Sequence, residues 1–486
     1  MSTVDESAPR RTAMPQAPAA LPWGPVSIVL IGAFMAILDS FIVIVAGPAI
    51  QADLDASDGE LQWILAGYQL TYAVFLITGG RLGDLYGRKR AFIGGMGVFT
   101  LASVACAVAQ TAAGLIAARL VEGLGAAFML PQVYAVITVL VPERGRPRAF
   151  GVLGVVMGLA TIGGQLVGGL LIGADLLGSG WRPVFWINIP VGIAAVVLAA
   201  RYLPESRAAR GRRLDIPGVA VLSVTLFLLT FPLIQGQHAG WPWWTWAGMA
   251  ASLLGFALFI GLERNTASRG GDPLVRMSLF RMRSFSVGIL LVITTYTVIT
   301  SYYLVLSIAL QDGLGMSALG AGLVYSPAAV TFFVFSLIAG RLVPRHGRRV
   351  LGVGAIVLAL GYASTVVVLT CGPAFRPVVV IPTLMLQSAG GGLLITPSLG
   401  AVLARIGPGD AGIASGVLST AQQVGAALGV AVIGVVFFHS FDPAGGRSAA
   451  AHAVAMSSVF TLASALVAAG LVRLLPDGRR PAADRA

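Results

Sequence analysis

The sequence predicts an all-α polytopic membrane protein, with two six-helix bundles and two extra central helices between them. Three observations predict it. Of 486 residues, 57% are hydrophobic and only 11% charged, with a mean hydropathy of +0.87, whereas a soluble domain has roughly 45–50% apolar and about 25% charged residues. Apolar runs of about 18 or more residues, each able to cross about 30 Å of hydrocarbon at about 1.5 Å per residue, recur along the whole chain. Finally, a glycine-punctuated basic turn repeats: GRLGDLYGRKR from Gly80 to Arg90 and GRLVPRHGRR from Gly340 to Arg349, each where an apolar run stops. Such repetition marks a fold made of two related halves.

The runs begin near Val26, Leu61, Ala91, Ala112, Ala149 and Val184, then Ile216 and Trp243, then Ser284, Ala318, Val350, Val378, Gly412 and Ala449. That is fourteen spans, grouped six, two and six. The division that follows is a tail over 1–25, a first bundle over 26–203, a two-helix insert over 204–265, a second bundle over 266–475 and a tail over 476–486. The opening stretch is polar and rich in Pro and Ala, and the apolar run after it continues into a full span, so it reads as a disordered cytoplasmic tail rather than a cleaved signal peptide. Glu263 to Ser286 reads as the longest inner loop, too short for a domain.

Charge sets the orientation. With the N-terminus inside, every Lys and Arg except Arg119, Arg182, Arg376 and Arg447 falls in a tail or on the inner side, and short basic loops resist translocation. The first outer loop, QADLDASDGE from Gln51 to Glu60, has acids and no base. Both termini are therefore expected in the cytoplasm and the chain in the cell inner (plasma) membrane. The net charge of +12 lies in turns between apolar runs, which fits topology signals and argues against nucleic acid as a partner.

Enzyme chemistry finds no support. Lys89 is the only lysine and follows Arg88, so no G-K-[ST] phosphate-binding loop exists. The four histidines stand singly, and Cys106 and Cys371 have no metal-ligand spacing. No cofactor and no metal are expected.

Intramembrane charges are costly, at least about 2.5–3.5 kcal/mol each near mid-bilayer, and are functional suspects for that reason. Asp39 lies in the first span with no partner nearby in sequence, and a buried carboxylate able to take up and release a proton suits a proton relay; a neutral, hydrogen-bonded structural aspartate is the competing reading. Arg119 and Glu122, three apart, share a helix face in the fourth span, and both a structural ion pair and a coupling role stay open. The fifth span is dense in glycine, including Gly164, Gly168 and Gly169, and carries Gln165; the thirteenth echoes it with Gln422 and Gln423 before Gly425 and Gly429. Small residues at such spacing let helices approach and bend, and the glutamines are candidate cavity groups.

These motifs resemble the major facilitator superfamily, in particular its 14-span drug:proton antiporters. GRLGDLYGRKR matches that family's loop motif through Gly80, Gly83, Asp84, Gly87, Arg88 and Arg90, and the resemblance implies a gating loop whose aspartate contacts a neighbouring helix. The second copy has Pro344 in place of the aspartate. Arg119 with Gly123 and Gly125 resembles the family's fourth-span arginine motif, linked to proton transfer. LDSFIVIVAGP, Leu38 to Pro48, is similar to the first-span motif and aligns Asp39 with its acid, while WRPVFWINIPVG, Trp181 to Gly192, is close to the start of the sixth span. Gly164, Gly168 and Gly169 match the antiporter motif, with Gln165 at its usual proline. The resemblance implies proton-coupled efflux of an amphipathic drug or antibiotic by alternating access, by a monomer, with protons, the small-molecule substrate and the lipid bilayer as its partners. Proton-coupled uptake and a transporter-like sensor without flux are the alternatives.

Overall fold

The computed structural model describes residues 22–476 apart from 176–177, 208–213, 237–238, 317, 372–375 and 441–445. Most of both expected tails lies outside the described residues. Sixteen α-helices follow in chain order. The first half holds α1 (Trp23–Leu54), α2 (Asp58–Tyr86), α3 (Arg88–Ala107), α4 (Ala112–Leu140), α5 (Arg146–Ala174), the one-turn α6 (Pro183–Trp186) and α7 (Asn188–Tyr202). Next come α8 (Ile216–Gln235) and α9 (Trp243–Ser268), then the one-turn α10 (Ser278–Arg281). The second half holds α11 (Arg283–Ile308), α12 (Ala318–His346), α13 (Arg348–Cys371), α14 (Pro377–Leu403), α15 (Ala411–Ser440) and α16 (Gly446–Leu474). With α6 and α7 taken together, 14 helical segments are long and apolar enough to cross a membrane.

Helices are the form that lipid imposes, because every backbone polar group must be satisfied within the segment. Their ends are set by local chemistry. Ser57 and Glu60 form a capping box at the start of α2, with Ser57 N–H donating to Glu60 Oε2 at 2.9 Å. Thr111 Oγ1 accepts from Gly114 N–H at the start of α4, and Asp215 Oδ1 accepts from Gly218 N–H at the start of α8.

Within the first half α4 packs against α2 and α3, α1 against α5, and α3 against α7; in the second, α14 packs against α12 and α13, α11 against α15, and α13 against α16. The halves meet along two seams. One joins α5 to α12 and the other joins α2 to α15, so the fifth span of each half meets the second of the other, as a two-fold relation requires. Glycines make the seams close: a side chain on Gly80 would strike the Gly412 carbonyl, and one on Gly151 would come within 3.3 Å of the Ser336 carbonyl. Helices α8 and α9 pair with each other, and α8 leans on both α2 and α15. The insert therefore sits beside one seam.

One expectation needs correcting. The stretch from Glu263 to Ser286 is not an open loop: α9 continues to Ser268, α10 fills Ser278–Arg281 and α11 starts at Arg283. The cause is Glu263, fully buried, whose Oε2 accepts the Val275 N–H at 2.9 Å and folds the returning segment onto the helix.

Candidate functional site

Asp39 is not alone. Arg119 Nη1 donates to Asp39 Oδ2 at 2.5 Å and to Glu122 Oε2 at 2.7 Å, so one guanidinium serves two carboxylates from α1 and α4. The other oxygens are engaged as well: Asn188 Nδ2 donates to Asp39 Oδ1 at 3.0 Å, and Ser103 Oγ to Glu122 Oε1 at 2.5 Å. Cys106 Sγ stands 3.5 Å from Glu122 Oε2. Arg119 Nε donates to the Ile64 carbonyl at 3.2 Å, and the guanidinium lies 4.5 Å from the centroid of the Tyr68 ring. None of Asp39, Arg119, Glu122, Ser103 or Asn188 is more than 2% exposed.

Local sequence explains the gathering. The three-residue spacing puts Arg119 and Glu122 on one face of α4. Gly123 lets α4 lie against the Tyr68 backbone on α2, and Gly125 lets it lie against Phe99 of α3. Asp39 has no partner nearby in sequence, and the packing of α1 on α4 supplies one from eighty positions away, a relation that no local spacing encodes. Counted as ionised groups, two carboxylates and one guanidinium leave a single negative charge in a dry site. One proton neutralises it. The arrangement can thus bind a proton without stranding a second charge, which low-dielectric burial would penalise heavily.

A second charged group lies at the arginine-rich face. Asp84 accepts from the backbone N–H groups of Gly412 and Ile413, each at 3.0 Å, and these are the first turn of α15 in the opposite half. A carboxylate at a helix N-terminus meets unpaired N–H groups and the positive end of the helix dipole. Arg88 Nη2 donates to Asp84 Oδ1 at 2.5 Å and to the Pro408 carbonyl at 2.6 Å, so the turn grips the other half twice. Gly87 supplies the bend at φ +108°, where the Glu205 carboxylate occupies the room a side chain would need. Arg90, by contrast, is exposed and lies 3.7 Å from Glu205. In the second basic turn, Arg348 Nη1 donates to the Arg473 and Leu475 carbonyls within its own half.

The glutamines of α15 bridge the halves. Gln422 Oε1 accepts from Tyr134 Oη at 3.0 Å, its Nε2 donates to Tyr296 Oη at 2.5 Å, and Gln423 Nε2 donates to Gln69 Oε1 at 3.0 Å. Both lie on α15, and Gln422 is held between two tyrosines, one from each half. The side chain of Gln165 lies outside the described residues. Of the fifth-span glycines, Gly164 and Gly168 abut α1, where added carbons would meet Leu38, Phe41 and Ile42, whereas Gly169 faces open space.

Sequence reasoning missed Asn188, Ser103 and Tyr68. Asn188 carried a signal, as the polar residue inside the apolar stretch FWINIPVG. Ser103 and Tyr68 carried none, because a serine or tyrosine in a span is ordinary.

A family model described as Major Facilitator Superfamily matches residues 29–430 and 285–485. The chain is 38% identical to a probable actinorhodin transporter of Streptomyces coelicolor, covering 89% of this chain and 75% of that one. It is 35% identical to a cephamycin export protein of Amycolatopsis lactamdurans, over 92% of both, and 33% identical to a tetracenomycin C resistance and export protein of Streptomyces glaucescens, over 85% and 76%. In structure it resembles the human organic anion transporter MFSD10, with TM-score 0.67 at 17% identity over 94% of this chain and 100% of that one.

Proposed function

The chain belongs to the major facilitator superfamily, and from that premise we propose that it is a proton-coupled exporter of an amphipathic antibiotic or drug, working as a monomeric antiporter in the plasma membrane with both termini in the cytoplasm. The carrying observation is the single guanidinium of Arg119 shared by the buried carboxylates of Asp39 and Glu122. The three relatives described above, a probable actinorhodin transporter, a cephamycin export protein and a tetracenomycin C resistance and export protein, support the direction and the substrate class.

The cycle follows from the two charged groups. With Asp84 seated on the first turn of α15, the arginine-rich face is closed, and in the proposed orientation this is the cytoplasmic side. A proton entering from outside neutralises the Asp39–Arg119–Glu122 cluster and removes its attraction for fixed charge and polar partners on α7 and α3. Release of the Asp84 contact then opens the cytoplasmic side, the proton leaves, and substrate enters between the halves beside Tyr134, Tyr296 and Gln422. Energy suffices: about 100 mV gives about 2.3 kcal/mol per proton and one pH unit about 1.4. One proton then sustains roughly a 500-fold gradient of neutral solute at about 1.4 kcal/mol per decade.

Everted vesicles from a pump-deficient host test this. Under an imposed inside-acid gradient they should accumulate an aromatic antibiotic, and abolishing the gradient should stop it. Uptake unaffected by the gradient refutes proton coupling, and accumulation driven by the opposite gradient refutes export.

A further inference from the structure

The Asp39–Arg119–Glu122 cluster has room for one proton, and the hydrogen bonds around its two acids differ in a way that decides which acid takes it. Asp39 faces donors. Arg119 Nη1 donates to its Oδ2 at 2.5 Å and Asn188 Nδ2 to its Oδ1 at 3.0 Å, and neither a guanidinium nor an amide nitrogen can accept. The Tyr68 hydroxyl is spent on the Ala36 carbonyl at 3.0 Å. A proton on either Asp39 oxygen would thus point at another N–H. Asn188 could offer its oxygen instead only by turning its amide over, which would also withdraw the N–H it gives to Ser103 Oγ at 3.3 Å. Glu122 is placed differently. Its Oε2 takes Arg119 Nη1 at 2.7 Å and stands 3.5 Å from Cys106 Sγ, but its Oε1 meets the Ser103 hydroxyl at 2.5 Å. A hydroxyl both donates and accepts. Glu122 and Ser103 are fully buried, where an unanswered hydrogen-bonding group is costly.

We propose that the coupling proton is carried by Glu122 on Oε1, with Ser103 as the positioning residue that accepts it, while Asp39 stays ionised as the fixed counter-ion of Arg119. On protonation the Ser103 O–H turns from Glu122 to the carbonyl one turn back in α3, the usual partner of a serine within a helix. The new Glu122 O–H then donates to the serine oxygen. One O–H bond forms, on a proton from the outer solution, and Arg119 with Asp39 is left as a paired, neutral couple that needs no further charge in the dry site. All four carboxyl oxygens keep partners. The titratable and charged groups that face Glu122 are Asp39 from α1, Tyr68 from α2, Cys106 from α3 and Arg119 on α4 itself, and Arg119 alone among them is a cation. The part this proton plays in export rests on the function proposed above; its place on Glu122 does not.

The test uses the full chain in liposomes without substrate. Infrared difference spectra between neutral and acid pH should contain a high-frequency protonated-carboxyl band, as a dry site gives, and Glu122→Gln should remove it. Protein made by cell-free synthesis with glutamate carrying carbon-13 in its side-chain carboxyl should show that band at lower frequency, and protein made with aspartate labelled in the same way should not. The labelled wild type needs no substitution, so the assignment is tested even where a variant fails to fold. Ser103→Ala takes away the acceptor and should move the band to higher frequency, whereas Ser103→Thr keeps a hydroxyl and should hold it near the wild-type position. A band that follows the aspartate label, or no such band at all, overturns the assignment to Glu122. A band unmoved by Ser103→Ala overturns the part given to the serine. A band that follows the glutamate label in a chain without proton-driven transport leaves this inference standing and removes the export reading instead.

Discussion

Arg119 and Asp39 lie eighty positions apart in sequence, yet the guanidinium of one donates to the carboxylate of the other at 2.5 Å in a site with almost no exposure. Because Arg119 also holds Glu122 at 2.7 Å, the two acids are not independent. Changing one redistributes charge at the other.

Arg119→Ala strands two buried carboxylates without a counter-ion. Removing one partner of a buried ion pair costs about 3–5 kcal/mol, so the variant should melt well below wild type in detergent, or recover stability only at acid pH where both acids are protonated. Arg119→Lys keeps the charge and should retain most of the stability, while losing the two-pronged geometry. Equal melting of wild type and Arg119→Ala at neutral pH would mean the cluster carries no such burden.

Asp84→Asn keeps the shape of the side chain but weakens its hold on the Gly412 and Ile413 N–H groups and removes the pairing with Arg88. Helix-terminus charge effects run to about 2 kcal/mol in partly buried sites, so transport should fall roughly tenfold while substrate binding persists. The measurement is equilibrium binding beside vesicle uptake. Parallel loss of both would make the turn merely structural.

Gly80→Ala and Gly83→Ala separate two kinds of close approach. The added carbon at Gly80 meets the Gly412 backbone in the other half, which cannot yield without opening the seam, whereas at Gly83 it meets the Gln132 side chain, which can rotate. Gly80→Ala should therefore expose the gate to cysteine labelling far more than Gly83→Ala. The reverse order would contradict the seam as the closing surface.

Substrate charge follows from the same accounting. Both deep acids of the first half are occupied by Arg119, and the polar groups beside Gln422 where the halves meet include Tyr134 and Tyr296. Among the described residues, a dication finds no free carboxylate there to offset its desolvation. In competition against a matched dye series, neutral or weakly acidic aromatic compounds should be exported better than dications, and preferential protection against dicationic biocides would refute the point.

The spans were legible because hydrophobic length is a one-dimensional property: Ala112, Ile216 and Trp243 mark helix starts in sequence and structure alike. Asp39, Arg119 and Glu122 were legible as suspects because charge in an apolar run is conspicuous. Their union was not, since it depends on the packing of α1 on α4 across eighty residues of sequence. Glu263 was misjudged as a loop residue for the opposite reason: next to Arg264 and Asn265 it reads as solvated, and only the packing of the returning segment through Val275 buries it.

The most direct measurement is the number of protons displaced when substrate binds to purified protein, followed in weakly buffered detergent solution with a pH indicator. A cluster of two acids and one arginine should release one proton per substrate in wild type. Asp39→Asn, which leaves Arg119 and Glu122 as a neutral pair, should release none while still binding. Undiminished proton release from Asp39→Asn would contradict the account.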